Sequence, residues 1–580
     1  MTNQLQSFDK DVHLSSRLII QNASVLTLDE KNNYYVNATV IIENGRFKQI
    51  LPHENDFKST KNDQVIDATG KLLMPSLVDL HFHTAVAKGW NDHLPLWEYL
   101  DECWYPSIRA LDKEAAYWAA MASYMEAIKN GTGTVNDMYR QLDGLADAAD
   151  EIGIRAVLSN DVALEEHNLD TLEDNVASFR NHNGRANGRI QVWFGIEWLP
   201  LANLELLKRT RQLANELGQL SSSILAINYN FVITLNQVEK HWLKFSPKKS
   251  LDSMKNSAFL LKNLPPEYMK IITVLFNKCA CKGDVFEASK HAKVICISKD
   301  GIYPEENRLR PISLLPNLGK WFERCVHEQI QDWCKEKGTG IHIHLNESTS
   351  EVDSTMKQFK KRPTEVAYEA GILGPDCVAA HCVHLSDAEI ELLASTGTHV
   401  SHNPGSNAKL GNGIARLPEM IKAGINVGLG HDAAECSNFI DMFTVMKFAS
   451  LIHRAVRQTT EVGKPDDILR MATVNGQKAL GHGHELGAIV EGFKADCILI
   501  ELKNTEFTPL IENDITHLTS HLVFAASGSC VDTNIIDGRI VMQNRKMLTV
   551  NEEKVVNEAN KAFARIKDKM KVVARDKNKN

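Results

Sequence analysis

No stretch of the 580-residue chain comes near the roughly 18 consecutive apolar residues that a membrane-spanning helix needs. A surplus of one charge is lacking as well. The 65 Lys and Arg stand against 73 Asp and Glu, and a net of −8 argues against nucleic acid or an anionic membrane as the default partner. Cysteine is sparse: eleven are scattered through the chain without the spacing of a zinc ribbon or a disulfide framework. Cys279 and Cys281 in "CAC" are too close for a structural zinc pair. Reduced thiols in a cytoplasmic protein are the expectation. The opening "MTNQLQSFDKDVHLSS" also lacks the basic-then-apolar order of a secretory leader. With 43% hydrophobic and 24% charged residues, the composition is that of ordinary globular protein.

Two kinds of pattern alternate along the chain. Near the N-terminus "RLIIQNASVLTLD" and "ATVIIENGRFKQI" read as strands joined by Asn and Gly turns, and "ADCILIEL", "HLVFAAS" and "DTNIIDGRIVMQN" repeat this near the other end. Between them, "LLMPSLVDLHF", "GTVNDMY", "IRAVLSNDV" and "IQVWFGIEW" each precede a helical pattern. The rhythm resumes with "GIHIHLN", "DCVAAHC", "GTHVSHN" and "INVGLGHD". Eight such strands with intervening helices predict an α/β fold, a (β/α)8 barrel with a small β-sandwich built from both chain ends. "NEEKVVNEANKAFARIKDKMKVV" predicts a closing helix, and "ARDKNKN" a frayed tail.

In a strand, side chains two apart share a face, so His81 and His83 of "DLHFHT" project together. A parallel barrel does its chemistry at the C-terminal ends of its strands. His344, His381 and Asp432 fall at the ends of the fifth, sixth and eighth expected strands, and Glu347 lies three residues past His344. One His-x-His is a weak signal, because polar strand residues produce it too. Six titratable residues gathered at one end make a stronger case, and imidazoles with a carboxylate suit a zinc-type ion that keeps an open position. His342 shares a face with His344 but sits deeper, and is read as a core histidine.

At these residues, and through "MPSLVDLHFHT", "GTGTVNDMY", "VAAHCVHL", "SHNPGSNAKLGNGIA" and "GLGHDAAECSN", the chain resembles the amidohydrolase superfamily. More narrowly it is similar to the aminohydrolases that include S-adenosylhomocysteine/methylthioadenosine deaminases and s-triazine (atrazine-type) hydrolases. The resemblance implies one divalent metal, zinc or alternatively iron, on His81, His83, His344 and Asp432. It implies catalytic roles for Glu347, His381 and Asp432: Asp432 accepting the proton of water, Glu347 passing it to a ring nitrogen, His381 orienting the attack. The implied partner is a small heterocycle, amino- or halo-substituted, and the implied assembly a homo-oligomer, with no membrane or nucleic acid.

Departures from the family pattern fall on the substrate side. Glu197, after the fourth strand, stands where the adenosine-type members carry a histidine, and Trp90 and His93 occupy the loop after the first strand. Trp90 and Glu197 are therefore the candidate substrate contacts. His431 replaces a frequent Thr before Asp432. Glu197 also opens an alternative, a binuclear amidohydrolase acting on another C–N bond.

From Gln219 to Lys337 the chain changes character. This interval holds 18 Lys and Arg against 12 Asp and Glu, a net of +6, and five of the eleven cysteines; the remainder of the chain nets −14. Its "HAKVICISKDGIYPEENRLRPISLLPNLGKWFERCVHEQI" resembles the fingers region of a non-LTR retrotransposon reverse transcriptase. The fragment stops before the paired carboxylates that nucleotidyl transfer needs, and the chain's one Asp-Asp pair, Asp466–Asp467, sits at an expected helix start. The expected organisation is sandwich 1–72, barrel 73–218, insertion 219–337, barrel 338–483, sandwich 484–550, and helix with tail 551–580. A catalytically impaired chimera is the second functional reading.

Overall fold

The computed structural model describes residues 17–52, 59–89, 94, 96–225, 238–239, 272, 293–298, 309–314, 339–511 and 513–577. The chain divides into two compact units, Met1–Asn215 with Thr339–Asn580, and Glu216–Gly338.

The N-terminal strands are β1 (Leu18–Leu26), β2 (Tyr34–Glu43), β3 (Arg46–Leu51), β4 (Gln64–Asp67) and β5 (Lys71–Pro75). Then follow β6 (Leu77–His83), β7 (Thr132–Tyr139), β8 (Arg155–Asn160), β9 (Ile190–Val192) and β10 (Phe194–Ile196). In the second unit β11 (Lys293–Ser298) and β12 (Leu309–Leu314) form an antiparallel pair. The rest of the reverse-transcriptase-like stretch lies outside the described residues. The first unit resumes with β13 (Ile341–Leu345), β14 (Cys377–His381), β15 (His399–His402), β16 (Val427–Leu429) and β17 (Asp432–Ala433). It ends with β18 (Cys497–Glu501), β19 (Val531–Ile536), β20 (Arg539–Gln543) and β21 (Lys546–Met547).

Both chain ends build one nine-stranded sheet, ordered β21-β20-β19-β18-β5-β1-β2-β3, with β4 also on β1. Ile20, Val40, Phe47, Leu73, Leu499 and Ile535 share its apolar core, so N- and C-terminal strands bury one another. The β1–β2 register shifts between Ile20 and Ala23, where Asn22 takes a left-handed φ of 59°, a conformation that Asn tolerates.

Ten parallel strands make two further sheets, β17-β6-β7-β8-β9 and β10-β13-β14-β15-β16. Only Trp193 separates β9 from β10, and only Gly430 and His431 separate β16 from β17. Every residue of β6 and β7 is buried, as expected for parallel strands covered on both faces. Phe82 meets Tyr124 of helix Lys113–Lys129 at 5.8 Å between ring centroids, and Val78 and Leu80 pack with Ala479 and Leu480. Asp79, His81 and His83 alternate with these and face the other way.

Four sequence expectations differ in detail. "LLMPSLVDLHF" divides at Ser76 between two sheets, β5 entering the nine-stranded sheet and β6 the parallel one. "HLVFAAS" begins inside helix Ile515–Phe524, which Asp514 caps by accepting from the His517 amide; Leu518 and Leu522 bury one helical face. The helix expected to end at Gly218 runs from Leu204 to Leu225, because Gly218 stays helical and does not turn the chain left-handed. The last helix, Glu552–Lys577, extends into the segment expected to fray. Among the described residues no helix is long and apolar enough to cross a membrane.

Candidate active site

The C-terminal ends of the parallel strands bring six of the expected residues together. His81 and His83 come from β6, His344 from β13, His381 from the end of β14 and Asp432 from the start of β17. Glu347 lies two residues beyond β13. All are buried. Gly430 makes room for this meeting, since a Cβ there would stand 2.8 Å from the Cβ of His81. Trp90 lies outside the described residues.

The ring orientations are set by what each Nδ1 touches. His83 Nδ1 donates to the Met138 carbonyl at 2.5 Å, and His344 Nδ1 donates to the Glu197 carbonyl at 2.5 Å. His81 Nδ1 lies 2.9 Å from His342 Nε2, so the deeper histidine supports the shallower one. Every Nε2 is thereby turned inward. His83 Nε2 is 3.1 Å from His344 Nε2, and both His81 Nε2 and His83 Nε2 stand 3.4 Å from Asp432 Oδ1. Two trios, His81–His83–Asp432 and His81–His344–His381, have candidate ligand atoms within 4.8 Å of one another. His81 Nε2 is buried without a hydrogen-bond partner. Neutral imidazole nitrogens fixed by carbonyls behind them, with a carboxylate opposite, fit a borderline-soft divalent ion.

Beside this cluster, His381 Nδ1 donates to Asn407 Oδ1 at 2.9 Å, and its Nε2 faces Asp432 Oδ2 at 3.9 Å. Glu347 Oε1 accepts from Asn412 at 2.9 Å, and Ser406 donates to Asp432 Oδ2 at 2.6 Å. His381, Cys382 and Asp432 have φ of 70°, 50° and 76°, left-handed conformations that cost non-glycine residues energy and persist where surrounding contacts enforce them.

Burial holds His81 and His344 well below the usual imidazole range and lowers His83, which keeps them neutral. Burial raises Glu347. It also opposes charge on His381, but Glu347, Asp432 and the Asn407 hydrogen bond outweigh it and lift that residue. For Asp432, burial pushes up, and the facing His81, with His381 and His83 nearby, pushes it well down. Burial brings Glu197 up to about 7.

A cavity opens over these residues, with His83, His344, Glu347, His381 and Asp432 in its lining. Trp104, Tyr105 and Trp198 wall it, and Glu197 reaches into it. Sequence reasoning did not single out Ser406, Asn407, Asn412, Trp104 or Tyr105. The first three lie within "SHNPGSNAKLGNGIA", an Asn-rich stretch whose polar residues were the available signal.

A family model described as "Amidohydrolase family" matches residues 72–221 and 325–541 and passes over 222–324. The chain is 30% identical over 543 residues to a 5-methylthioadenosine/S-adenosylhomocysteine deaminase of Acetivibrio thermocellus, covering 93% of this chain and 96% of the relative. It is 30% identical over 560 residues to a 5'-deoxyadenosine deaminase of Methanobrevibacter smithii, with 96% and 99% covered. A zinc-bound adenosine deaminase structure from Xanthomonas campestris aligns with TM-score 0.68 at 20% identity, over 95% of this chain and 99% of that one. A zinc complex of an atrazine chlorohydrolase from Arthrobacter aurescens gives 0.65 at 16% identity, over 94% and 100%. At such identities the two structures speak to the fold.

Proposed function

Because the chain belongs to the amidohydrolase family, we propose that it is a metal-dependent hydrolase that deaminates an amino-substituted N-heterocycle. The observation that carries this reading is the inward ring of His81, His83 and His344 Nε2 atoms against Asp432, each Nδ1 being engaged elsewhere. These four residues would hold one divalent ion, zinc or iron. Once bound, it would supply Lewis acidity at the floor of the cavity.

The chain's own groups do the rest. Asp432, held below the usual carboxylate range, is ionised and accepts a proton from the attacking water. Glu347, raised by burial, carries that proton to the ring nitrogen beside the reacting carbon and makes the carbon more electrophilic. His381, fixed by Asn407, orients the attack and donates toward the oxygen where charge develops. Glu197, which lines the cavity, and Trp90 are the substrate contacts of this reading.

The architecture proposed around this site is a (β/α)8 barrel whose arcs are the two parallel sheets. Pairing of β17 with β6, and chain continuity through Trp193, support it. The nine-stranded sheet would be the accompanying sandwich. Residues 219–337 are read as an insertion, which the interruption of the family match and the separate compact unit support; its relation to a reverse transcriptase rests on the sequence resemblance. The test is to purify the full chain, measure metal per mole, and assay ammonia release from aminopurines, adenosine-type nucleosides and amino-triazines. About one equivalent of metal with turnover of at least one of these fits the reading. A soluble metal-bound protein that releases no ammonia from any of them overturns it.

A further inference from the structure

One wall of the cavity carries a buried carboxyl with one oxygen left open. Glu197 is 5% exposed and lines the cavity, yet its Oε2 has no hydrogen-bond partner. Directly beside it, Asp161 is fully buried just past β8, and its carboxyl meets that of Glu197, so the two share a hydrogen bond. The nearest cation, Arg140, is taken up by Asp170, with Nε 2.7 Å from Oδ1. The Tyr105 hydroxyl, on the same wall, is also unpartnered. Buried polar groups normally find a partner, and an unmet one costs free energy. The donor that Glu197 Oε2 lacks is one that an occupant of the cavity can supply.

The shape of the wall restricts those donors. Trp104 and Trp198 line the cavity with Glu197, and aromatic faces favour a flat occupant. A carboxylate pairs best with two parallel N–H groups in one plane. A sugar hydroxyl offers only one hydrogen. We propose that Glu197, backed by Asp161, is a specificity-determining residue that selects substrates bearing a planar amidine or guanidine edge, as in amino-substituted diazines and triazines. This deepens the deaminase reading and rests on it for the identity of the reaction, though not for the existence of the subsite.

The test uses the full, metal-loaded chain and two inert probes of matched size: benzamidine, which carries the donor edge, and benzamide, which carries a carbonyl in its place. By calorimetry the wild-type protein should bind benzamidine roughly tenfold more tightly or better, the scale of one charge-assisted pair. Glu197→Gln should erase that preference while metal content stays constant. Equal or tighter binding of benzamide by the wild type overturns the proposal without any variant. So does a preference that survives in Glu197→Gln, or loss of one of two metal equivalents in it, which would make Glu197 a bridging ligand. Amidine preference without turnover of any amino-heterocycle would sustain the subsite and sink the deaminase reading. Turnover without amidine preference would do the opposite.

Discussion

Asp79 holds His431 at two points, its Oδ1 accepting the His431 amide at 3.0 Å and its Oδ2 accepting from Nδ1 at 2.6 Å. This clamp joins β6 to the turn just before Asp432, so two strands that supply proposed ligands are referenced to one carboxylate. Asp79→Ala would strand two buried donors, each costing about 1–3 kcal/mol. We expect a lower melting temperature and metal affinity weakened about 10–100-fold, although Asp79 is not a proposed ligand. Chelator competition measures this; unchanged affinity would show that the strands alone place Asp432.

Removing a ligand should be harsher. His83→Ala takes away one Nε2 of a four-residue donor set and should abolish bound metal and ammonia release together. Metal analysis alongside the assay checks it, and full occupancy in the variant contradicts the ligand set.

Glu347 should behave differently. Its carboxylate rests on Asn412, so Glu347→Gln keeps the metal and loses about 10²–10⁴-fold in kcat, the range of a general acid–base group. If metal is lost as well, Glu347 is a ligand.

His399 offers a pH test remote from the cavity. Its Nε2–H donates to the Pro375 carbonyl at 3.2 Å, and its Nδ1 accepts from Asn426 at 3.0 Å, so the neutral ring is satisfied on both sides. Burial lowers its pKa from 6.5 to about 4. The folded state therefore prefers the neutral form. Its contribution is complete above pH 6.5 and is lost as pH falls toward 4, a change of order 3 kcal/mol at 1.36 kcal/mol per unit. Denaturant titrations at pH 7 and 4.5 should show this loss, and His399→Gln should flatten the slope. Parallel slopes in both proteins would rule His399 out as the source.

The interrupted stretch gives a fifth outcome. A shortened chain joining Gly218 to Gly338 touches none of the site residues. It also relieves about 3 kcal/mol of loop-closure entropy, some five doublings of a loop of about 3 residues. It should be more soluble, melt higher, and deaminate at least as fast per mole of metal. A shortened chain that misfolds while the full chain works would make residues 219–337 a working part of the protein.

The site was legible where chemistry and period coincide. His81 and His83 stand two apart on one strand, and His344, His381 and Asp432 mark strand ends, so position along the chain stood in for position in space. Ser406, Asn407 and Asn412 escaped because their partners come from other strands, and polar residues in a loop carry no period. The break at Ser76 escaped for the opposite reason: the apolar run continues across it, and only pairing partners distinguish β5 from β6. In "HLVFAAS" strand-favouring residues lost to a cap, Asp514, that lies upstream of the quoted stretch. Asp161 and Glu197 became neighbours through the ends of β8 and β10, a relation no local pattern encodes.

The place of β18 in the nine-stranded sheet has a consequence for biosynthesis. It lies between β5 and β19, so the edge of β5, finished at Pro75, finds its partner only when Cys497–Glu501 has been made. At roughly 5–20 residues per second, the ribosome needs from about twenty seconds to well over a minute to cross that distance. Throughout that time the nascent chain exposes an unpaired, apolar strand edge, the kind of surface that recruits other strands.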